Sequence, residues 1–502
     1  MKENIIRTAI LMSILTLGSQ FLGFIRELVM ANYFGTSYIV DAFAMSNTIL
    51  NLLFGGLIVA ITSAYMPLYS KVVAQRGSEE GEILTSQAIN LLLCVTLILS
   101  LIGIVFSDQI IAVCAGGFTG ETARLASYYI KVIFSYIIFS SITGIFEPYL
   151  QYRGIFIPQI ISGYFISFSS AIVIVISAYT SYYYIAYGML IGNVLRFLCV
   201  SAVAKKNGYR HRATLSLKGE ASGVLSLALP IFLGSSVDSI SKFIDRTLAS
   251  HLREGSIAAL NYANLIDNMI IIVTITVIST LIYPKLTQAY AVHDNTGFNK
   301  LVSVGCNLVV MIAIPCSLGA MLYSRQIIQI VYERGAFGSG ATAMTVGAFF
   351  FYSMGLLFVA MNQFLTKVYY SMHNMKVPMI LGMVSVGFNI VLNLILIGPM
   401  QHEGLALASS VASGFNMCLL FFYMKYKYSD IIIFPSKGKL GMIFGSAGIS
   451  VSLSYVLYKS ILESIHAELI RLALVVLFAI LIYGILLKIF KIEEINLIKK
   501  IV

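Results

Sequence analysis

Apolar runs of about 20 residues, the length that crosses the hydrocarbon core of a bilayer, recur along all 502 residues of this chain. No stretch between them is long enough for a separate soluble domain. In lipid every backbone N–H and C=O must be satisfied internally, so such runs are read as packed α-helices. Hydrophobic residues make up 58% of the sequence and charged residues 11%, proportions that no soluble domain of this size would carry on its surface. The fold class expected is an all-α polytopic membrane protein. Its first run continues past signal-peptide length without an A-x-A-like site and is expected to stay as a helix.

Gly, Pro and charge clusters delimit fourteen candidate helices. The first six lie near 6–33, 40–70, 84–112, 121–149, 157–179 and 182–204; the next six near 223–251, 257–285, 299–323, 340–366, 376–397 and 402–424; the last two near 440–459 and 467–489. Basic loops at 205–220 and 425–439 divide them into a six-helix lobe (1–220), a second six-helix lobe (221–430) and a final helix pair with a tail (431–502). An even count puts both termini on one side. Of the 33 Lys and Arg residues, 22 fall on that side, six on the other and five within spans, which predicts cytoplasmic termini. The net charge of +11 therefore belongs to loops, and no basic stripe with interleaved aromatics supports nucleic-acid binding.

A repeat links the halves. Phe24-Ile25-Arg26 precedes Tyr65-Met66-Pro67-Leu68 by about forty residues, and Phe243-Ile244-Asp245-Arg246 precedes Ile282-Tyr283-Pro284-Lys285 at nearly the same separation. The two sets lie about 217 residues apart. Halves with even helix counts would be parallel repeats, an arrangement used by transporters.

Charges within spans are costly and are functional-site candidates. Arg26 and Asp41 stand in or beside the first two spans. On the seventh, Ser235, Asp238, Lys242, Asp245 and Arg246 fall within roughly one 100° arc. This stripe is either a cavity wall for a charged substrate or a self-neutralising set, Asp238 with Lys242, that pins helices together. Arg26 could line a cavity, snorkel, or pair with Glu27 or Asp41. Asp267, beside Asn261, Asn264 and Asn268, is expected to face the same interior, and Asn389 with Asn393 could coordinate a cation or hydrogen-bond across helices. Glu147 reads as a boundary residue, and Lys131 and Arg196 as interface anchors or cavity residues.

The six cysteines lie in or at the ends of apolar runs with no C-x-x-C pair, which suits packing, and the six histidines are scattered. There is no Walker-type loop, G-x-S-x-G or H-E-x-x-H, so no enzyme signature, resident cofactor or metal is expected.

Several ordered motifs resemble a known family. Gly23-Phe24-Ile25-Arg26-Glu27, Phe34-Gly35 and Asp41-Ala42-Phe43 are followed by Tyr332-Glu333-Arg334-Gly335-Ala336-Phe337, the YSMHNMKVP turn at 370–378, and Gly404-Leu405-Ala406-Leu407-Ala408 after Gly398-Pro399. Over residues 8–425 these resemble the MurJ (MviN) lipid II flippases of the multidrug/oligosaccharidyl-lipid/polysaccharide exporter superfamily. The resemblance implies two lobes plus a C-terminal pair, alternating access, a bacterial inner-membrane location, and an undecaprenyl-pyrophosphate-linked saccharide moved to the outer leaflet. It implies cavity roles for Arg26 and Asp41. Family members usually carry Arg where this chain has Phe54 and Leu265, and often where it has Gln20. Lys242 and Arg246, with Asp245 and Asp267, complete the proposed substrate set. Asp238, Asn389 and Asn393 are the candidates for Na+ or H+ coupling, with the membrane potential as the other drive; cell-wall synthesis proteins are expected partners. Rival readings are an exporter of exopolysaccharide or O-antigen units, a cation-coupled small-molecule antiporter, which should prefer acidic cavity residues, and a membrane glycosyltransferase, which would need a larger loop.

Overall fold

A computed structural model describes residues 2–214, 232, 236–237, 239–428, 437–460 and 467–492, and among them every regular element is helical. The order is α1 (Lys2–Phe34), α2 (Tyr38–Leu50), a π-helical turn (Asn51–Gly55), α3 (Gly56–Arg76), α4 (Ser78–Val105), α5 (Ser107–Cys114), α6 (Gly120–Tyr152), α7 (Ile157–Tyr179) and α8 (Ile185–Lys206). Then come α9 (239–249), α10 (Ser256–Ala291), α11 (Asn295–Leu322), α12 (Ser324–Tyr332), α13 (Ser339–Ser371), α14 (Lys376–Lys427), α15 (Lys437–Ser460) and α16 (Glu468–Ile489). Among the described residues ten spans are long and apolar enough to cross a bilayer, with α2 through α3 counted as one and α14 as one. The 52 residues of α14 contain a break at Gln401 (φ 52, ψ −133), just past Pro399, where the sequence separates the windows 376–397 and 402–424.

Packing divides the chain into two compact units, Met1–Ala258 with Arg334–Gly338, and Ala259–Glu333 with Ser339–Val502. Two features differ from the sequence windows. The run expected at 84–112 stops at Val105 and turns at Phe106 (φ −98, ψ 20) into the short α5. Likewise α11 turns at Tyr323 (φ −102, ψ 20) into α12, which hydropathy windows do not detect because it is short and amphipathic. Tyr323 stands 217 positions after Phe106, and both breaks lead into a buried serine, Ser107 and Ser324. The repeat is therefore written in the backbone as well as in the sequence.

Lipid supplies little hydrophobic drive between spans, so close approach of small residues holds them together. In the first unit α7 and α8 touch through glycine: a methyl group on Gly192 would lie 2.5 Å from Ile166 Cα, and one on Gly188 2.7 Å from Ser170 Cα. The segment after α8 is strapped to α4 by Arg212 on Glu79 at 2.6 Å and by the Tyr209 and Ser86 hydroxyls at 3.2 Å. In the second unit a methyl group on Gly355 would lie 2.8 Å from Ser410 Cα, bringing α13 against α14. Tyr483 of α16 donates to the Met311 carbonyl of α11 at 2.8 Å, beside an apolar cavity of about 660 Å³ lined by Met311, Pro315, Tyr323, Val451, Val476 and Tyr483.

Candidate functional site

The charges of the first unit are not arranged as isolated ions. On α1, Arg26 Nη2 donates to Glu27 Oε1 at 2.6 Å, while its Nε is buried with no hydrogen-bond partner. The side chains retain 22% and 12% exposure, so the pair is sheltered without being sealed. One guanidinium N–H thus stays unsatisfied inside the unit.

Asp41 lies in the first turn of α2 and is 4% exposed. Its Oδ2 accepts from Gly255 N at 2.6 Å and its Oδ1 from Ala258 N at 2.7 Å, which satisfies orphan amides at the start of α10. Glu254, just before α10, returns the favour: its Oε1 accepts from Tyr38 N at 2.8 Å, the first residue of α2. Each helix start is held by the other's carboxylate, in a reciprocal cap favoured by the positive end of each helix dipole. The turn needs glycine. Gly255 has φ +85, and a methyl group there would lie 2.3 Å from the Thr36 carbonyl oxygen. Asn32 O accepts from Ala336 N at 2.8 Å, which draws the 334–338 segment onto the end of α1. A polar pocket of about 210 Å³ adjoins the cap, lined by Tyr38, Asp41, Thr119, Thr122, Arg253 and Glu254.

Arg246 on α9 reaches the same helix: its Nη1 donates to the Ala44 carbonyl at 3.0 Å and to the Thr48 hydroxyl. Thr247 donates to the Cys114 carbonyl at 2.8 Å, so α9 is also tied to the end of α5. Asp245 is buried and Lys242 exposed. Ser235 and Asp238, the rest of the predicted stripe, lie outside the described residues.

The second unit is different in kind. Asp267 on α10 is 4% exposed, with Oδ1 lacking a hydrogen-bond partner, and one turn away Asn268 Nδ2 donates to Asn264 Oδ1 at 2.6 Å. Asn389 and Asn393 on α14 are buried, and the Asn393 amide donates to Asn389 Oδ1 at 3.1 Å. Among the described residues no three His, Cys, Asp or Glu side chains gather as metal ligands.

The structure thus brings Asp41 and Arg246 to one helix, α2, and gives Arg26 its sequence neighbour. It also uncovers a pair that the sequence places at helix ends: Arg196, at the middle of α8, donates to Glu147 on α6. Their separation of 49 positions offers no local signal.

Apolar spans gathered in two compact units, with paired charges inside the spans, define a polytopic helical membrane protein. The sequence profile described as "Lipid II flippase MurJ" matches residues 30–489. The chain belongs to that family, whose members are transporters and not enzymes. The probable lipid II flippase MurJ of Treponema pallidum (strain Nichols) is 27% identical over 467 residues, covering 88% of this chain and 86% of the relative. The lipid II flippase MurJ of Burkholderia cenocepacia is 25% identical over 471 residues, 90% and 89% of the two chains. A solved structure titled "Lipid II flippase MurJ, inward closed conformation" superposes with a TM-score of 0.85 at 26% identity, over 97% of this chain and 100% of that one. An inward-facing multidrug resistance MATE family transporter shares the fold, with a TM-score of 0.70 at 14% identity over 83% and 98% of the chains.

Proposed function

We infer that this chain moves lipid II, an undecaprenyl-pyrophosphate-linked cell-wall precursor, from the inner to the outer leaflet by alternating access, in the bacterial inner membrane with both termini cytoplasmic. The observation that carries this reading is the match of 97% of the chain to a lipid II flippase structure at a TM-score of 0.85. The charges of the first unit suit the substrate, because a pyrophosphate needs cationic partners in a shielded cavity, where hydrogen bonds to Arg are strong. Arg26, with a buried donor still open, and Arg246 and Lys242 on α9 are the cationic members of the proposed site. Asp41 and Asp245 are the acidic members proposed in the first unit, and Asp267 is a further candidate in the second. Export of negative charge from a negative-inside cell is favoured by about 2.3 kcal/mol per charge per 100 mV, so the membrane potential can drive the cycle.

Cation coupling is the second element of the proposal. The carboxamide oxygens of Asn389 and Asn393 are hard donors suited to Na+, and Asp238 is a separate candidate for the coupling. Loss of sodium dependence in Asp238→Asn vesicles supports this coupling, and transport identical to wild type in both the presence and absence of sodium refutes it. Cell-wall synthesis proteins are the proposed partners. The reading as a whole is tested by complementation of a conditional lipid II flippase mutant. Wild type should restore growth and relieve precursor accumulation, whereas Arg26→Ala and Arg246→Ala should not; failure of wild type would sink the assignment.

A further inference from the structure

The seam between α6 and α8 in the first unit carries a polar ladder that the site above does not use. Tyr128 and Tyr187 share a hydrogen bond at 3.0 Å, Ser140 donates to Asn193 Oδ1 at 2.6 Å, and Arg196 pairs with Glu147. Beside this seam Gln151 of α6 donates to Gln159 of α7 at 2.7 Å. Apolar spans do not need such a ladder, and an ion pair at the middle of α8 is costly at bilayer depth.

Three observations separate the Glu147–Arg196 pair from a simple pin. First, it does not face lipid. Ile191, Leu195 and Leu198 are the exposed large apolar residues of α8, and at 100° per residue Asn193 and Arg196 project away from the middle of that face. Second, the side chains still keep 28% and 20% exposure, so the pair is not sealed within the core. Third, the pairing is incomplete: one Nη2 contact to one carboxylate oxygen is made, and Arg196 Nε is buried with no partner. A pair retained for stability would be expected to satisfy its buried donors, because an unmade hydrogen bond to a charged group there is expensive.

We propose that Arg196 is a phosphate-binding residue for the lipid-linked substrate, with Glu147 as the counter-ion that holds it when the head group is absent. This rests on the proposed function. The chemistry is a competition: a diphosphate offers more charge and a bidentate edge, so it displaces a carboxylate bound through a single contact. The chain also has a need for such a residue. Where basic residues are expected by resemblance it has Gln20, Phe54 and Leu265, and Phe54 is packed against Phe134 at 5.3 Å, where no cation could stand.

The test uses the full-length protein in nanodiscs with two probes, undecaprenyl pyrophosphate and the phosphate-free undecaprenol. Arg196→Gln should weaken binding of the pyrophosphate roughly tenfold or more, the worth of a charge-assisted hydrogen bond, and leave undecaprenol unchanged. Arg196→Lys should recover part of the loss, and Glu147→Gln should bind the pyrophosphate at least as tightly as wild type. The charge-neutral double variant guards against misfolding, because it removes both ions at once and should bind as weakly as Arg196→Gln. Wild-type binding by the double variant, or equal losses for both probes, would show a structural pin and overturn the proposal. Complementation reports separately on the flippase reading: if wild type fails to rescue while Arg196→Gln still loses the pyrophosphate, this inference stands and the lipid II assignment falls.

Discussion

The two units place polar groups inside their spans by opposite means. The first uses full charges, each set against an acceptor or donor: Arg26 with Glu27, Arg196 with Glu147, Asp41 with two backbone amides, and Arg246 with the Ala44 carbonyl and Thr48. The second relies mainly on carboxamides, the stacked Asn389 and Asn393 and the Asn264–Asn268 pair, with Asp267 as a buried acid. The contrast teaches a division of labour. Guanidinium groups have the charge and geometry that suit an anionic head group, whereas amides satisfy the interior at lower cost. The backbone repeat, with its matched breaks at Phe106 and Tyr323, shows that the scaffold is shared and that chemistry was placed on it unequally.

The comparison breaks first if the reciprocal cap is dispensable. Asp41→Ala leaves two buried amides at the start of α10 without their acceptor, at about 1–3 kcal/mol each, and should abolish complementation and lower the Tm of purified protein; Asp41→Asn should lose less, since one oxygen acceptor remains. Next in size, Gly255→Ala forces a side chain into φ +85 against the Thr36 carbonyl and should cost about 1–3 kcal/mol by thermal unfolding. Gly77→Ala, at φ +89 with open space around it, meets the backbone strain alone and should cost less than Gly255→Ala. Equal losses would mean that close packing at the cap is irrelevant.

A third test adds charge instead of removing it. Phe54→Arg buries a cation in place of a ring that is 2% exposed and should prevent accumulation of folded protein. Leu265→Arg, on a half-buried position, should fold and strengthen pyrophosphate-lipid binding severalfold. Normal accumulation of Phe54→Arg, or loss of folded Leu265→Arg, would undo the idea that burial decides where a cation is tolerated. Smaller still, Asn389→Ala should lower unfolding stability by about 0.6 kcal/mol, the average of interhelical polar contacts, whereas a collapse of transport at preserved Tm would assign it to coupling.

The smallest effect compares two helix starts at equivalent places in the repeat. Asp294 caps α11 by accepting from Gly297 N at 2.8 Å, and the bonds from Gly297 and Thr296 hold its carboxyl below the usual range; Gly77, 217 positions earlier, starts α4 without a side-chain cap. A depressed carboxyl contributes stability above its unfolded value of about 3.9 and loses it as pH falls through the lower folded value. The Tm deficit of Asp294→Ala should therefore be present at neutral pH and vanish in strong acid, and a deficit independent of pH would refute the cap.

Much of this was legible from residues in order. Hydropathy gave the all-α class and the break before Gln401, and the Phe-Ile-Arg and Tyr-Pro spacings gave the repeat. Motifs around Arg26 and Asp41 pointed to the family. The sequence left Arg196 open between an interface anchor and a cavity residue, because its partner Glu147 lies 49 positions away. It also missed α5 and α12, whose shortness hides them from a window as long as a bilayer is thick.

By itself, then, the sequence determined which segments enter the membrane, since transfer into lipid depends on the local run of side chains and little else. Only the tertiary structure decided what each charge does there. Asp41 finds its donors 214 and 217 positions away, and Arg196 finds Glu147 at 49. Neutralising an ion in a low-dielectric interior requires particular atoms within about 3 Å, and helices distant in sequence supply them.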